Sequence, residues 1–363
     1  MANGWTQAEE GIVWHAPWNE PFQLAGFPWS DSDRVFRRLP LHLPKPLPPA
    51  VELLSWCTAG GQVRFTSDTD ILKVKVRLRE QFGMDCAPPA GPYGFEHMAH
   101  TGVSGFDLYL GEPGAERFYG VTRFPSGAQE YECQLLGRSG REPLSFILNF
   151  PLFNGVEELH VGIGADASIE APPPYRIDRP VVVYGTSITH GGCASRPGAC
   201  YTNILSRRLN VPFVNLGFSG SGQGEREVAE ATATIRNPAL FILDYEANSG
   251  GKMDGTLPGF IEALRASHPE VPILVVSRIR FAKESLKSEP GMRRAGNRCR
   301  TYQQSYVNML RAAGDLHVHF FDGARLLGRD YDECTVDGVH ATDLGFFRMA
   351  GKLAPVIQDL LYP

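Results

Sequence analysis

Through roughly the first 170 residues, apolar and polar positions tend to alternate. Residues 63–66 (VRFT), 72–78 (LKVKVRL), 106–110 (FDLYL), 130–135 (EYECQL) and 144–148 (LSFIL) carry this pattern. Successive side chains on a strand point to opposite faces, so alternation predicts strands with one dry face and one wet face. Gly, Pro and Asp separate the runs, and no long amphipathic helix interrupts them. The half therefore reads as an antiparallel β-sandwich or jelly roll.

The pattern changes after residues 170–175 (EAPPPY), a stiff connector that divides the chain into domains 1–175 and 176–363. Residues 180–184 (PVVVY), 240–243 (LFIL) and 272–276 (PILVV) are continuous apolar runs, and 213–216 and 318–322 continue the series. Such runs fit strands covered on both faces. Helical patterns lie between or after them, at 201–209, 257–267, 300–313 and 344–361. In the last, Phe347, Met349, Leu353, Val356 and Leu360 are predicted to share one apolar face. Strands alternating with helices predict a parallel sheet in a three-layer α/β domain. Ligands of such sheets sit beyond the carboxyl ends of the strands.

A length of 363 residues exceeds what one core usually serves, in keeping with two domains. The net charge is −5, and the recurrence of Arg293, Arg294, Arg298 and Arg300 reads as a solvated helix start. A nucleic-acid partner, which needs a concentrated basic footprint, is not expected. Nor is a membrane partner, because no run approaches the roughly 20 apolar residues of a spanning helix. The N-terminus lacks the basic and apolar segments of a signal peptide, so the expected location is cytoplasmic. The seven cysteines form no CxxC spacing, which argues against structural zinc and favours reduced, buried thiols. The spacing of Cys193 and Cys200 also permits a disulfide between them.

Four segments at strand ends or near the C-terminus carry candidate chemistry. After the first run comes GTSITHGG, in which Ser187 stands at a strand-to-helix turn; helix capping explains such a serine equally well. After the second comes NLGFSGSG, where the Gly220 amide can face an anion, or the loop can be a plain turn. It lacks the ending of a Walker loop, and no dinucleotide fingerprint follows the first strand. After the third comes DYEANSG, with Asn248 as an amide donor or a turn former. Near the C-terminus, DGVHATDLG sets Asp337 three residues before His340, a spacing that can bring carboxylate and imidazole into hydrogen-bond reach, although an arbitrary D-x-x-H is more often an ordinary surface pair.

Taken together, the blocks closely resemble those of the SGNH/GDSL hydrolase superfamily, across roughly residues 178 to 363. The segment TGVSGFDLY at 101–109 resembles the Gly-x-Asp-Leu-Tyr signature of an N-terminal β domain found on one branch of it. The resemblance implies a three-layer, flavodoxin-like SGNH domain preceded by the β-sandwich. It also implies Ser187 as nucleophile, His340 as general base and acid, and Asp337 as orienting carboxylate. The Ser187 and Gly220 amides and the Asn248 side chain would form the oxyanion hole. Thr186 replaces the Asp of GDSL, Ser249 follows Asn248 where Asp is usual, and Ala341 replaces a frequent Pro. These departures touch subfamily and substrate more than reaction.

The function implied is hydrolysis of short acyl esters, with acetylated carbohydrate as the expected substrate and neither cofactor nor metal. An acyltransferase using the same acyl-serine, a lipase, or a silent carbohydrate-binding scaffold are the alternatives. A homo-oligomer is neither implied nor excluded. His97 and His100 are three apart, but no clear helix or carboxylate in the sequence pattern supports a metal site there. His190 reads as structural or pocket-lining, and Asp107 and Tyr109 as packing, turn or substrate contacts.

Overall fold

The computed structural model describes residues 9–79, 96–288 and 290–362; Cys86 lies outside them. Two antiparallel sheets occupy the first half. One has the order β1 (Ile12–His15), β9 (Val156–Gly164), β4 (Ile71–Leu78), β7 (Glu130–Gly137). The other runs β10 (Ile169–Glu170), β3 (Gln62–Ser67), β8 (Leu144–Asn149), β5 (Asp107–Leu110), β6 (Arg117–Val121), with β2 (Gln23–Ala25) also on β3. Every second residue of β4 is buried, as alternation predicts. The sandwich core contains Val63, Phe65, Val74, Val76, Phe146, Leu148 and Val161, and Phe65 stacks on its cross-strand neighbour Phe146 at 4.7 Å.

The second half is a parallel sheet of β11 (Val181–Gly185), β12 (Phe213–Gly217), β13 (Leu240–Asp244), β14 (Ile273–Val276) and β15 (Val318–Phe321). Their order, β12-β11-β13-β14-β15, is the doubly wound flavodoxin-like one. Successive residues alternate between two buried faces. Val181, Val183 and Ile242 join a core with α5 (Tyr201–Leu209) and α9 (Asp343–Leu361). Val182, Tyr184 and Phe241 join one with α6 (Arg226–Thr232), α7 (Met253–Ser267) and α8 (Pro290–Ala312). This two-sided cover makes the strands continuously apolar. Among the described residues no helix is long and apolar enough to cross a membrane.

Two expectations change. On α9 the buried stripe is Phe346, Met349, Ala350, Leu353, Ile357 and Leu361, while Phe347 is 59% exposed. The helix is apolar on adjacent faces, so periodicity alone does not select the docked one. Helix α8 begins ten residues earlier than periodicity suggests, and Arg293, Arg294 and Arg298 lie exposed in its first turns. Cys193 and Cys200 are both free, buried thiols, in keeping with the reading of reduced cysteines, and the Cys200 sulfur faces the Thr202 hydroxyl at 3.4 Å.

The halves interlock. Leu39, Leu47, Cys57 and helix α2 (Pro49–Leu54) of the first half pack against one face of the parallel sheet. Val103, at the end of α3 (His100–Val103), and Leu152 and Phe153 pack on the other side.

Candidate active site

Strand β11 ends in Gly185, and Thr186 caps the short helix α4 (Ser187–His190) by accepting from the Ile188 N–H at 3.3 Å. Ser187 thus becomes the first helical residue, at the point where the sheet order reverses between β12 and β13. Beneath it, the buried Asp244 carboxylate accepts from Tyr201 OH at 2.9 Å and Thr189 Oγ1 at 3.2 Å. Burial pushes Asp244 up to about 7, despite these two hydrogen bonds.

Strand β12 delivers the second loop. Asn215 donates to the Thr189 carbonyl at 2.7 Å and accepts from the Gly217 N–H at 2.9 Å, tying this loop to α4. A Cβ on Gly217 would lie 2.1 Å from the His190 nitrogen, so only glycine permits this packing. Gly220 has φ +68 with open space around it; its requirement is left-handed backbone rather than room. Sequence reasoning passed over Arg38, which is fully buried under this loop. Its guanidinium donates to the carbonyls of Gly217 (2.6 Å), Asn215 (3.2 Å), Leu54 (2.6 Å) and Cys57 (2.7 Å). Burial draws it down to about 10. Arginine has no local pattern that announces such a role, since every acceptor but two comes from far along the chain.

The third loop is fixed by the buried Glu246, which accepts from the Arg278 N–H at 2.9 Å and from Gln303 Nε2 at 2.7 Å. Two residues on, the Asn248 amide donates to the Ser221 carbonyl and, at 3.5 Å, to that of Phe218. Blocks two and three are therefore hydrogen-bonded to each other.

Between β15 and α9 the chain folds back on itself, with Thr335 bridging Ala341 and Gly338 at φ +90. Asp337 Oδ1 accepts from the N–H groups of Val339 (3.0 Å) and His340 (2.8 Å), while its Oδ2 meets His340 Nδ1 at 2.7 Å. The opposite ring nitrogen, Nε2, lies 2.8 Å from Ser187 Oγ. Partial burial raises the Asp337 carboxyl, but the hydrogen bonds from His340 and Val339 outweigh it and hold the group at about 2. The carboxylate favours the tautomer with a proton on Nδ1, leaving Nε2 to accept from the serine.

The remaining candidates find other places. His190 is buried, stacks on Phe153 at 3.9 Å and bonds the Leu152 carbonyl at 2.7 Å, so it joins the halves rather than lining a pocket. His100 packs on Phe124 at 4.5 Å. His97, by contrast, stands beside His340, with ring centroids 5.5 Å apart. Its donor nitrogen, the Cys193 sulfur and a His340 nitrogen lie within 4.8 Å of one another. Asp107 and Tyr109 hold the segment after α4: Asp107 accepts from Gly198 N–H (2.8 Å), Asn149 Nδ2 (2.8 Å) and Arg196 (3.1 Å), and Tyr109 reaches the Gly198 carbonyl (3.3 Å).

Fold and comparison with known proteins define a hydrolase. The chain belongs to the GDSL-like lipase/acylhydrolase family, whose profile matches residues 178–358. The profile of the N-terminus of SGNH-type esterases matches residues 12–169. A solved structure described as a GDSL-like lipase from Bacteroides ovatus ATCC 8483 is 31% identical, covers 96% of this chain and 98% of its own, and superposes with a TM-score of 0.84. The salicylyl-acyltransferase SsfX3 of a tetracycline biosynthetic pathway shares the fold at 16% identity, TM-score 0.74 and 97% and 98% coverage. A family two carbohydrate esterase from Cellvibrio japonicus shares it at 12% identity, TM-score 0.61 and 96% and 98% coverage. No curated protein matches the chain.

Proposed function

We propose that the protein is a serine esterase of short-chain acyl esters, acting on acetylated carbohydrate. The observation that carries this reading is the unbroken relay from Ser187 Oγ to His340 Nε2 (2.8 Å) and from His340 Nδ1 to Asp337 Oδ2 (2.7 Å). Ser187 Oγ attacks the acyl carbonyl as its proton passes to His340 Nε2. Asp337 stabilises the imidazolium that results without taking its proton. The Ser187 and Gly220 N–H groups and the Asn248 amide receive the oxyanion of the tetrahedral intermediate. Collapse breaks the ester C–O bond, the alcohol leaves with the proton from His340, and an acyl-serine remains. Water, deprotonated by His340, then attacks that acyl group and releases the acid and Ser187.

The carbohydrate part draws on the fold shared with the family two carbohydrate esterase. The fold shared with SsfX3 favours a second reading, in which an acceptor alcohol replaces water at the acyl-serine. Both use the same groups, so product analysis with added alcohols separates them. The test of the shared core is Ser187→Ala assayed on p-nitrophenyl acetate and butyrate. Turnover should drop by about 10⁴ to 10⁶. A parent protein without serine-dependent turnover on a broad ester panel would remove the proposal.

A further inference from the structure

A second concave site lies where the sandwich meets the parallel-sheet domain. It is a cavity of about 510 Å³ between β5 and β6 on one side and the 196–199 segment, α5 and α9 on the other. Its charged lining is unbalanced: Arg117, Arg196, Arg207 and Arg208 face Glu116 and Asp343. Asp343 is already engaged, accepting from Ser195 N–H at 2.9 Å and Ser195 Oγ at 2.5 Å. Arg196 pairs with Asp107 at 3.1 Å. Among the described residues, no carboxylate lies within ion-pair distance of Arg117, Arg207 or Arg208.

Arg207 is only 9% exposed. It lies 3.6 Å over the Tyr109 ring and donates to the Gly198 carbonyl through Nη2 at 2.6 Å. Its Nη1 is buried without a hydrogen-bond partner, a condition that an arriving acceptor would relieve. Burial and the adjacent like charge of Arg207 both lower Arg208 from its ordinary value. Asp107 and Glu116 offset part of the charge of Arg207 and Arg196, and the lining as a whole keeps an excess of arginine over carboxylate.

Two aromatic rings frame this charge and remain open to solvent. Phe118, 44% exposed, lies under Arg196 at 3.9 Å, and Phe347, 59% exposed, under Arg208 at 4.2 Å. Forked guanidinium donors match a planar carboxylate. Exposed rings match the C–H face of a pyranose, a surface that inorganic anions lack.

We infer that this cavity is a subsite for an acidic saccharide, with Arg207 and Arg208 taking a ring-borne carboxylate and Phe118 and Phe347 packing against sugar. The inference rests on the reading of the chain as a carbohydrate esterase and narrows its substrate class to uronate-containing chains. The cavity adjoins the candidate catalytic segments along the chain: Arg196 and Gly198 stand in the segment that follows α4, and Asp343 comes three residues after His340.

Calorimetric titration of the full chain carrying Ser187→Ala tests it, with trigalacturonate, cellotriose and sodium phosphate as probes. Trigalacturonate should bind, and affinity should fall at least about tenfold, or 1.4 kcal/mol, with either Arg208→Gln or Phe347→Ala. Phe347 is exposed, so that variant keeps the core intact. Equal binding of cellotriose, tighter binding of phosphate, no saturation by trigalacturonate, or indifference to both substitutions would each overturn the inference. Binding is measured without turnover, so a failed esterase assay and a failed titration remain separate results.

Discussion

Replacing Asn248 by Ala asks whether the third strand end takes part in the chemistry or only holds its neighbour. The carboxamide has two N–H donors. One is engaged by the Ser221 carbonyl, and the second has only the Phe218 carbonyl at 3.5 Å. That distance is at the limit of a useful hydrogen bond, so a developing oxyanion would offer this donor a far better acceptor. Removing such a donor typically raises the barrier by about 2.7–4 kcal/mol, or 10²–10³ in kcat. KM should barely move, since the ground-state carbonyl carries little of the charge being stabilised. Loss of the Ser221 bond adds a stability cost of about 1 kcal/mol. Steady-state kinetics on p-nitrophenyl acetate, run beside a thermal melt, read the two effects separately. If Asn248→Ala keeps more than about a tenth of the parental kcat while its melting point falls, the donor assignment is wrong. The side chain would then be only a strut.

Asp337→Asn should lower kcat by about 10⁴ through the wrong imidazole tautomer. Because Asp337 is held at about 2, its stabilising contribution is full above its unfolded value and fades only as pH falls toward 2. No inflection in kcat/KM between pH 5 and 9 should therefore belong to it, as a parental pH profile can verify. Asp107→Ala strands Arg196 and the Gly198 N–H and should cost about 3–5 kcal/mol in urea unfolding; a change under about 1 kcal/mol would mean the joint is held elsewhere. Asp244 behaves in the opposite sense to Asp337. Its folded pKa is raised from 3.8 to about 7, so the folded state binds this proton more tightly and stability declines as pH rises through that window. Asp244→Asn should flatten that decline in melts recorded from pH 4 to 8.

Much of this molecule was legible because its information is local. The period of two along 72–78 reports one wet face, and the unbroken apolar run at 181–184 reports two dry ones. The four site blocks were legible for a related reason: each is a short contiguous loop, three of them at strand ends and the fourth just before α9. Less visible was anything decided by docking. Phe346 and Phe347 are adjacent and equally apolar, and only the packing of α9 buries one and exposes the other. Asp107 and Gly198 are 91 positions apart, so the motif containing Asp107 shows that a residue matters without showing what it grips. His97 reaches the neighbourhood of His340 only because the sandwich folds against the other half. Single-segment reading has no access to such distances.

The buried Arg38 and the segment around α2 bear on how this enzyme can be rearranged. The guanidinium joins carbonyls on either side of the apparent boundary, and Leu39 to Cys57 supplies apolar cover to the parallel sheet. A graft made at the Pro-rich connector would carry away part of the hydrolase's own packing and leave the loop before Gly220 without its anchor. The portable unit for recombination is therefore discontinuous: the segment from Arg38 to Cys57 has to travel with the C-terminal half. In shuffling experiments the two sequence domains should consequently be inherited as one.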